Sequence, residues 1–490
     1  MSVRVRYAPS PTGLQHIGGV RTALFNYFFA KANNGKFILR IEDTDRTRYN
    51  PDALQNIYDT YNWLGIHWDE GPDVGGPYGP YVQSERFDLY KKHAQVLIES
   101  GHAYKCFCTS ERLEALRAEQ TAKKQNLGYD RKCRNFSDSE RAKLEAQGAP
   151  YVIRFAIPLE GSTGFHDELL GDIEKTNIDI NPDPVLIKSD GFPTYHLANI
   201  VDDHFMEITH VMRSQEWISS GPLHILLYKA SNWKPPLFCH LPMVMGKDGQ
   251  KLSKRHGSTS ADEFRQSGYL ADAVLNYVSL LGWSYDDTRE FFSKADFENL
   301  FTIEKLSKSG AIFDYQKLDW FNGQYIRKLT VADLSAALVP YLAAAGFVKN
   351  PPTDDEATII EKIIPLVQER LTRLSDVAGL VGFIFKDDIV LVKEELVPKK
   401  LDAQKTIEAL AALKDLVPGL AVKSPEEIEN IFRALAEKLQ IKLGDLLMPL
   451  RVALTGSKVS PPLVESILVL GTGKTLDRIE KAIALLGENV

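Results

Sequence analysis

Two short segments far apart in the chain carry residue types suited to a nucleotide triphosphate. In APSPTGLQHIGGVR, residues 8–21, His16 precedes Gly18 and Gly19 between an apolar strand and a helix that should begin near Gly18. Backbone N–H groups at a helix start, with the helix dipole behind them, favour negative charge, and glycine lets a phosphate approach the chain. In MGKDGQKLSKRHG, residues 245–257, Lys251 and Lys254 lie three apart in a glycine-flanked loop. Two such ammonium groups can swing onto the β- and γ-phosphates of a nucleotide whose other end sits at His16. Either segment alone also describes a capped helix or a solvated basic loop, so their joint occurrence carries the inference.

A second cluster suits metal chemistry. Cys106-Phe107-Cys108 followed by Tyr129-Asp130-Arg131-Lys132-Cys133 supplies three thiolates and a phenol. Zinc takes four ligands around a tetrahedron, and two close pairs separated by a loop suit a closed structural site, the alternative being three reduced core cysteines. Cys239 reads as a small apolar residue. Asp202-Asp203-His204 is left unassigned, because neighbouring carboxylates at the end of an element are more often solvated than ligating.

The elements that must hold these groups follow from periodicity. Val3–Tyr7 alternates as a strand; Val20, Leu24, Tyr27 and Phe28 form one helical stripe; Asn33-Asn34-Gly35 ends that helix; residues 37–43 return as an apolar strand. Such a βαβ unit implies a parallel sheet with its ligand beyond the carboxyl ends of the strands. Residues 71–81, rich in Gly and Pro, read as a loop before a helix starting near Ser84. From 105 to 190 a charged helix (residues 111–124) and short strands such as residues 151–155 look like an insertion, after which residues 185–187 and 208–213 should resume the same sheet. Beyond 256 the chain reads as helix after helix. Ser424-Pro425-Glu426-Glu427 is a helix start with capping serine and N1 proline, continued by Ile428, Phe432, Leu435 and Leu439.

With 490 residues and 44% hydrophobic content, several cores are expected. No apolar run approaches the roughly 18 residues that span a bilayer. The first residues read as a strand rather than an export signal. The net charge of −7 is the wrong sign for coating nucleic acid through bulk positive charge, while permitting a local basic face. Four cysteines in so long a chain suggest a reducing cytoplasm.

The two segments HIGG and KLSKR together resemble the paired signatures of class I aminoacyl-tRNA synthetases. RYAPSPTG (6–13), RIEDTD (40–45), GPYVQSER (79–86) and FPTYHLAN (192–199) narrow the resemblance, over nearly the whole chain, to glutamyl-tRNA synthetases of the bacterial type. Gly19 replaces the last histidine of the first signature and Leu252 the methionine of the second.

The resemblance implies an α/β class: a parallel, Rossmann-like catalytic sheet (1–104 and 191–255) with an inserted acceptor-end-binding subdomain (105–190). A helical stem-contact domain (256–325) and an all-helical anticodon-binding region (326–490) would follow. It implies ATP-dependent activation of L-glutamate and transfer to tRNA(Glu), with tRNA(Gln) a further candidate acceptor, by a cytoplasmic monomer without membrane contact. His16 and Lys254 are the catalytic candidates. Arg6, Ala8, Ser10, Glu42, Tyr195, Asn199 and Arg213 would hold glutamate, with Glu42 on its α-amino group and Arg213 preferred for specificity. His16, Gly18, Gly19, Glu216, Trp217, Lys251 and Lys254 would hold ATP, which brings its own Mg2+. Some relatives use a tyrosine in a Cys-x-Cys, Tyr-x-x-x-Cys arrangement, which makes Tyr129 the fourth zinc ligand with Cys106, Cys108 and Cys133. Arg370 and Arg373 are the anticodon candidates. The rival readings are a glutaminyl enzyme, whose anticodon region carries β-barrels, a short tRNA-modifying relative lacking the last third, and a tRNA-binding paralogue without catalysis.

Overall fold

The first 43 residues form the anticipated strand, helix and strand. In the computed structural model, which describes residues 2–45 and 48–488, β1 (Arg4–Tyr7) pairs in parallel with β2 (Lys36–Leu39), Arg4 opposite Lys36. They are joined by α1 (Ile17–Ala32), and Asn34 behind it takes a left-handed φ of 50°.

The helix is buried far beyond one stripe. Phe25, Asn26 and Phe29 are covered as well as Val20, Leu24, Tyr27 and Phe28. Phe28 stacks on Phe297 at 5.0 Å and Phe25 meets Phe301 at 5.2 Å, while Asn26 donates to the Met212 carbonyl at 3.1 Å. A helix covered by elements on opposite sides needs apolar residues around its circumference, which a one-stripe reading understates.

α2 (Pro51–Trp63) and α3 (Phe87–Glu99) follow, separated by the Gly/Pro loop. The insertion contains β3 (Ala103–Cys106), α4 (Ser110–Ala122), α5 (Asp138–Ala146), β4 (Val152–Phe155), β5 (Ser162–Asp167), β6 (Gly171–Thr176) and β7 (Val185–Ile187). Here one expectation fails: β7 does not resume the first sheet but closes an antiparallel one in the order β3-β4-β7. A three-residue apolar run announces burial, not its pairing partner.

α6 (Tyr195–Phe205), β8 (His210–Ser214), α7 (Gly221–Ala230) and β9 (Leu237–Leu241) return to the parallel fold. β8 and β9 pair in parallel at one side of a four-stranded sheet ordered β6-β5-β9-β8, so, against expectation, β8 does not join the β1-β2 ladder, and two strands of the insertion share its sheet. β8 approaches β1 through the Thr209 N–H, which donates to the Arg4 carbonyl at 2.9 Å. β10 (Val244–Met245), α8 (Ala261–Gln266), α9 (Ala271–Ser279), α10 (Lys294–Leu300) and β11 (Ala311–Ile312) complete this part. β10 and β11 pair in parallel, so the stretch after 256 is not helical throughout.

The chain divides into two compact units, residues 1–264 with 274–314, and residues 265–273 with 315–490. The second unit has no strand among its described residues. Its helices are α11 (Tyr315–Arg327), α12 (Val331–Ala344), α13 (Asp354–Val367), α14 (Val377–Phe385), α15 (Lys393–Leu396), α16 (Ala403–Leu416), α17 (Pro425–Lys438), α18 (Leu443–Thr455) and α19 (Leu463–Gly487). α17 begins as the sequence indicates: Ser424 and Glu427 form a reciprocal capping box, and Ile428 and Phe432 are buried. α19 is broken at Gly471, whose φ of 78° few other residues tolerate. No described helix is long and apolar enough to cross a membrane.

Candidate active site

Beyond the carboxyl ends of β1, β2 and β8 lies a cleft of 940 Å³. β1 and the turn after it supply Arg6, Ala8 and Ser10; the start of α1 supplies His16, Gly18 and Gly19; the residues after β2 supply Glu42. Tyr195 and Asn199 enter from α6, Arg213, Glu216 and Trp217 from the end of β8 and the turn beyond it, and Lys251 from the basic loop. Every residue singled out for glutamate or ATP lines this cleft except Lys254.

The two halves of the glutamate region differ in electrostatics. Arg6 is buried against Asp203, donating from Nε at 3.0 Å and Nη2 at 3.2 Å. Asp203 also accepts from Arg40 Nη1 at 2.7 Å, and Arg40 Nη2 reaches Glu42 at 3.0 Å. Asp202 accepts from Arg86 Nε at 2.7 Å, Gln83 at 2.9 Å and Tyr90. The pair Asp202-Asp203 is thus fully enclosed. The expectation of solvated carboxylates is wrong here because three buried arginines replace the water. Burial pushes the Glu42 carboxyl upward, against the pull of Arg40 and Arg6.

Arg213 is 5% exposed, and no carboxylate pairs with it among the described residues. Its partners are neutral: His240 Nε2 accepts from Nε at 3.0 Å, Tyr195 Oη from Nη1 at 3.0 Å and the Trp217 carbonyl from Nη2 at 3.5 Å. A buried guanidinium that faces a cleft without a counter-ion is a site for an anion.

The phosphate end departs from the expectation of free backbone donors. The Gly18 N–H is taken by His16 Nδ1 at 3.1 Å, the Ile17 N–H by the Thr259 carbonyl at 2.8 Å and the Gly19 N–H by the His16 carbonyl at 2.8 Å. The imidazole caps its own helix and also meets the Leu252 backbone, so the groups left for a phosphate are the helix dipole and the neighbouring lysines. Gly19 has an internal reason: a Cβ there would stand 2.9 Å from the Tyr7 hydroxyl.

Residues 259–261 stitch the basic loop to the first signature, with Ala261 N–H donating to the Gln15 carbonyl at 3.0 Å. Lys251 pairs with Glu216 at 2.6 Å across the mouth of the cleft. Lys254 is exposed and does not line the cleft. It starts a short 3-10 turn whose other residues, Arg255 and His256, are each held by Asp248 at 3.1 Å.

In the insertion, the sulfurs of Cys106, Cys108 and Cys133 lie within 4.8 Å of one another. The Tyr129 hydroxyl stands 3.3 Å from Cys106 Sγ and 3.7 Å from Cys108 Sγ, and Cys108 and Cys133 are 3.4 Å apart. A tetrahedral zinc with Zn–S near 2.3 Å separates its donors by roughly 3.5–3.8 Å, so the donor set fits. Hydrogen bonding from Cys133 pulls the Cys106 thiol down to about 4, against burial, which provides a ready thiolate.

In the second unit, Arg373 is bound at Nε and Nη2 to Asp319, both at 3.0 Å, over the Tyr269 ring. Two of its three guanidinium nitrogens are therefore engaged, whereas Arg370 is exposed. Sequence reasoning missed Asp203, Arg40, His224, His240 and Asp167. No spacing links them, and they become neighbours only when the sheet forms.

A parallel nucleotide-binding unit followed by a helical unit defines a class I aminoacyl-tRNA synthetase. The family described as tRNA synthetases class I (E and Q), catalytic domain, matches residues 2–320, and the anticodon binding domain matches residues 333–483. The chain belongs to the glutamate–tRNA ligases, ATP-dependent enzymes of that class. The Glutamate–tRNA ligase of Treponema denticola is 55% identical over 504 residues, covering 99% of both chains. That of Borreliella burgdorferi is 55% identical over 482 residues and 98% of both. A crystal structure of a glutamate tRNA ligase from Elizabethkingia meningosepticum in complex with its amino acid superposes with a TM-score of 0.86, at 37% identity over 99% of this chain and 100% of that one.

Proposed function

We propose that the cleft joins L-glutamate to ATP and passes the glutamyl group to the 3′ end of tRNA(Glu). The observation that carries this is Arg213, a buried cation facing the cleft with only neutral partners. It favours an acidic side chain over its amide, because glutamine would leave the guanidinium without an anion.

Arg213 receives the side-chain carboxylate, with Tyr195 bonded to it and Arg6, Ser10, Ala8 and Asn199 shaping the pocket. Glu42 takes the α-ammonium, a cation that offsets the burial of its carboxylate. The α-carboxylate oxygen attacks the α-phosphorus, and the bond to the β-phosphate oxygen breaks, releasing pyrophosphate. His16, Lys251 and Lys254 stabilise charge on the departing phosphates, while Glu216 and Trp217 border the nucleotide with Gly18 and Gly19. The terminal ribose hydroxyl then attacks the acyl carbon, its proton leaves, and AMP departs with the bonding pair. Catalysis here is positioning and charge stabilisation without a covalent enzyme intermediate. Mg2+ enters on the triphosphate.

Zinc, bound by Cys106, Cys108, Tyr129 and Cys133, would brace the insertion and take no part in the reaction. Base reading falls to the helical second unit, with Arg370 a better candidate than Arg373, whose fork is occupied. Four cysteines in so long a chain fit a reducing cytoplasm.

Pyrophosphate exchange in the presence of tRNA, run with glutamate and with glutamine, tests the reading. Preferred use of glutamine would overturn it. Charging of purified tRNA(Glu) and tRNA(Gln) measures the breadth of the acceptor.

A further inference from the structure

Arg213 is gripped from behind by a directional chain of buried groups. Its Nε donates to His240 Nε2 at 3.0 Å, and His240 Nδ1 lies 2.7 Å from Asp167 Oδ2. Nη1 also stands 3.4 Å from His224 Nδ1, and His224 Nε2 lies 3.2 Å from His196 Nδ1. His240 and Asp167 are wholly buried.

An arginine only donates, so each ring nitrogen facing it must present a lone pair. His240 is therefore the Nδ1–H tautomer, and its one proton points at Asp167. By the same logic His224 carries its proton on Nε2 and donates to His196. Asp167 cannot turn away. Its Oδ1 accepts from the Leu169 and Leu170 N–H groups at 3.1 and 2.9 Å, and its Oδ2 from the His240 N–H at 3.0 Å. Burial and the nearby Arg213 charge hold His240 low, against the pull of Asp167, so it remains a neutral acceptor.

The contrast with Arg6 shows what this arrangement does. Arg6 meets a carboxylate directly and is largely neutralised by it. Arg213 meets an imidazole, with the carboxylate one residue further back, so its fork is fixed in direction while its charge stays available. We propose that His240, oriented by Asp167, is a positioning residue for glutamate recognition, presenting the Arg213 guanidinium to the side-chain carboxylate. This rests on the reading of Arg213 as the group that receives that carboxylate.

Two amides separate the functions of the ring. His240→Asn keeps a donor beside Asp167 but is too short to reach Arg213, whereas His240→Gln extends an acceptor to the Nε2 position. Glutamate KM in tRNA-dependent pyrophosphate exchange should rise roughly 10- to 100-fold in His240→Asn, the loss of a hydrogen bond to a charged group. ATP KM should stay within about two-fold, and His240→Gln should recover most of the glutamate effect. In an Arg213→Ala background His240→Asn should add less than about two-fold, since coupled residues are not additive. Equal losses in both backgrounds, or equal rises in glutamate and ATP KM, would assign His240 a merely structural role and overturn the proposal. Arg213→Ala with a raised glutamate KM beside an unaffected His240→Asn overturns this proposal alone. Arg213→Ala with unchanged glutamate KM overturns the reading of Arg213 and the proposal with it.

Discussion

His16 Nδ1 accepts a hydrogen bond of 3.1 Å from the backbone N–H of Gly18, so the signature imidazole is the cap of the helix it precedes. That bond leaves the ring proton on Nε2. Burial, with the Lys251 charge adding to it, holds the ring below its ordinary range. Structural and catalytic parts are then separable. His16→Asn retains a capping side chain, whereas His16→Ala loses about 1 kcal/mol of stability. Both should slow adenylate formation by roughly 10²- to 10³-fold, the cost of one donor to developing charge. Urea unfolding and pyrophosphate exchange on the two variants check this, and equal stability of the two would contradict the cap.

Lys254 is exposed in the structure and carries no packing role. Its replacement by alanine should leave the unfolding midpoint unchanged while slowing activation by roughly 10²- to 10³-fold. Normal exchange in the presence of tRNA would remove Lys254 from the mechanism.

Gly19 leaves 2.9 Å between a notional Cβ and the Tyr7 hydroxyl, which is itself committed to Gln15 at 2.7 Å. Gly19→Ala should therefore destabilise the first unit by about 1–3 kcal/mol through overpacking. A Tyr7→Phe, Gly19→Ala pair should recover part of that loss, and strict additivity of the two would show that no clash exists.

The thiol cluster predicts about one zinc per chain by elemental analysis. Cys133→Ser should abolish retention and lower the thermal midpoint, and chelator should do the same to the unaltered protein. Tyr129→Phe distinguishes a phenolate ligand from a bystander, since it should weaken retention without touching a sulfur. Zinc-free protein with unchanged stability in chelator would refute the site.

His196 supplies a pH dependence. Burial, helped by the Arg213 charge, lowers its imidazole from 6.5 to about 4. The unfolded ring takes up its proton near 6.5 and the folded ring resists it, so this contribution is complete above pH 6.5 and is lost as pH falls toward 4. At pH 5 the loss is about 2 kcal/mol. Urea midpoints at pH 7 and pH 5 should converge less in the unaltered enzyme than in His196→Phe, and parallel curves would dispose of the idea.

The signatures were readable because each sits on a local device. His16 with Gly18 and Gly19 lies at a strand-to-helix junction, and Ser424 with Glu427 announces a helix in four residues. The cluster of Cys106, Cys108, Tyr129 and Cys133 was legible for the same reason, being two close pairs. What escaped was non-local. β7 carries too few residues to declare its sheet, the wrapping of α1 depends on Phe297 and Phe301 arriving from some 270 residues away, and Asp203 looks like a solvated carboxylate until Arg6 and Arg40 close on it. The capture of backbone donors by His16 and Thr259 was also invisible, since residue type shows that N–H groups exist but not where they are spent.

The stitching of residues 259–261 to the first helix sets the reach of the Lys254 ammonium. Thr259, the anchored residue, stands only five positions beyond Lys254, and even a fully flexible segment of that length spans about 12 Å on average. Wherever the loop tip wanders, its cation stays in the neighbourhood of the imidazole. ATP seated at His16 would therefore meet a local lysine concentration in the millimolar range or above, set by tether length. Lengthening that tether with a few glycines would dilute the lysine without altering a single contact.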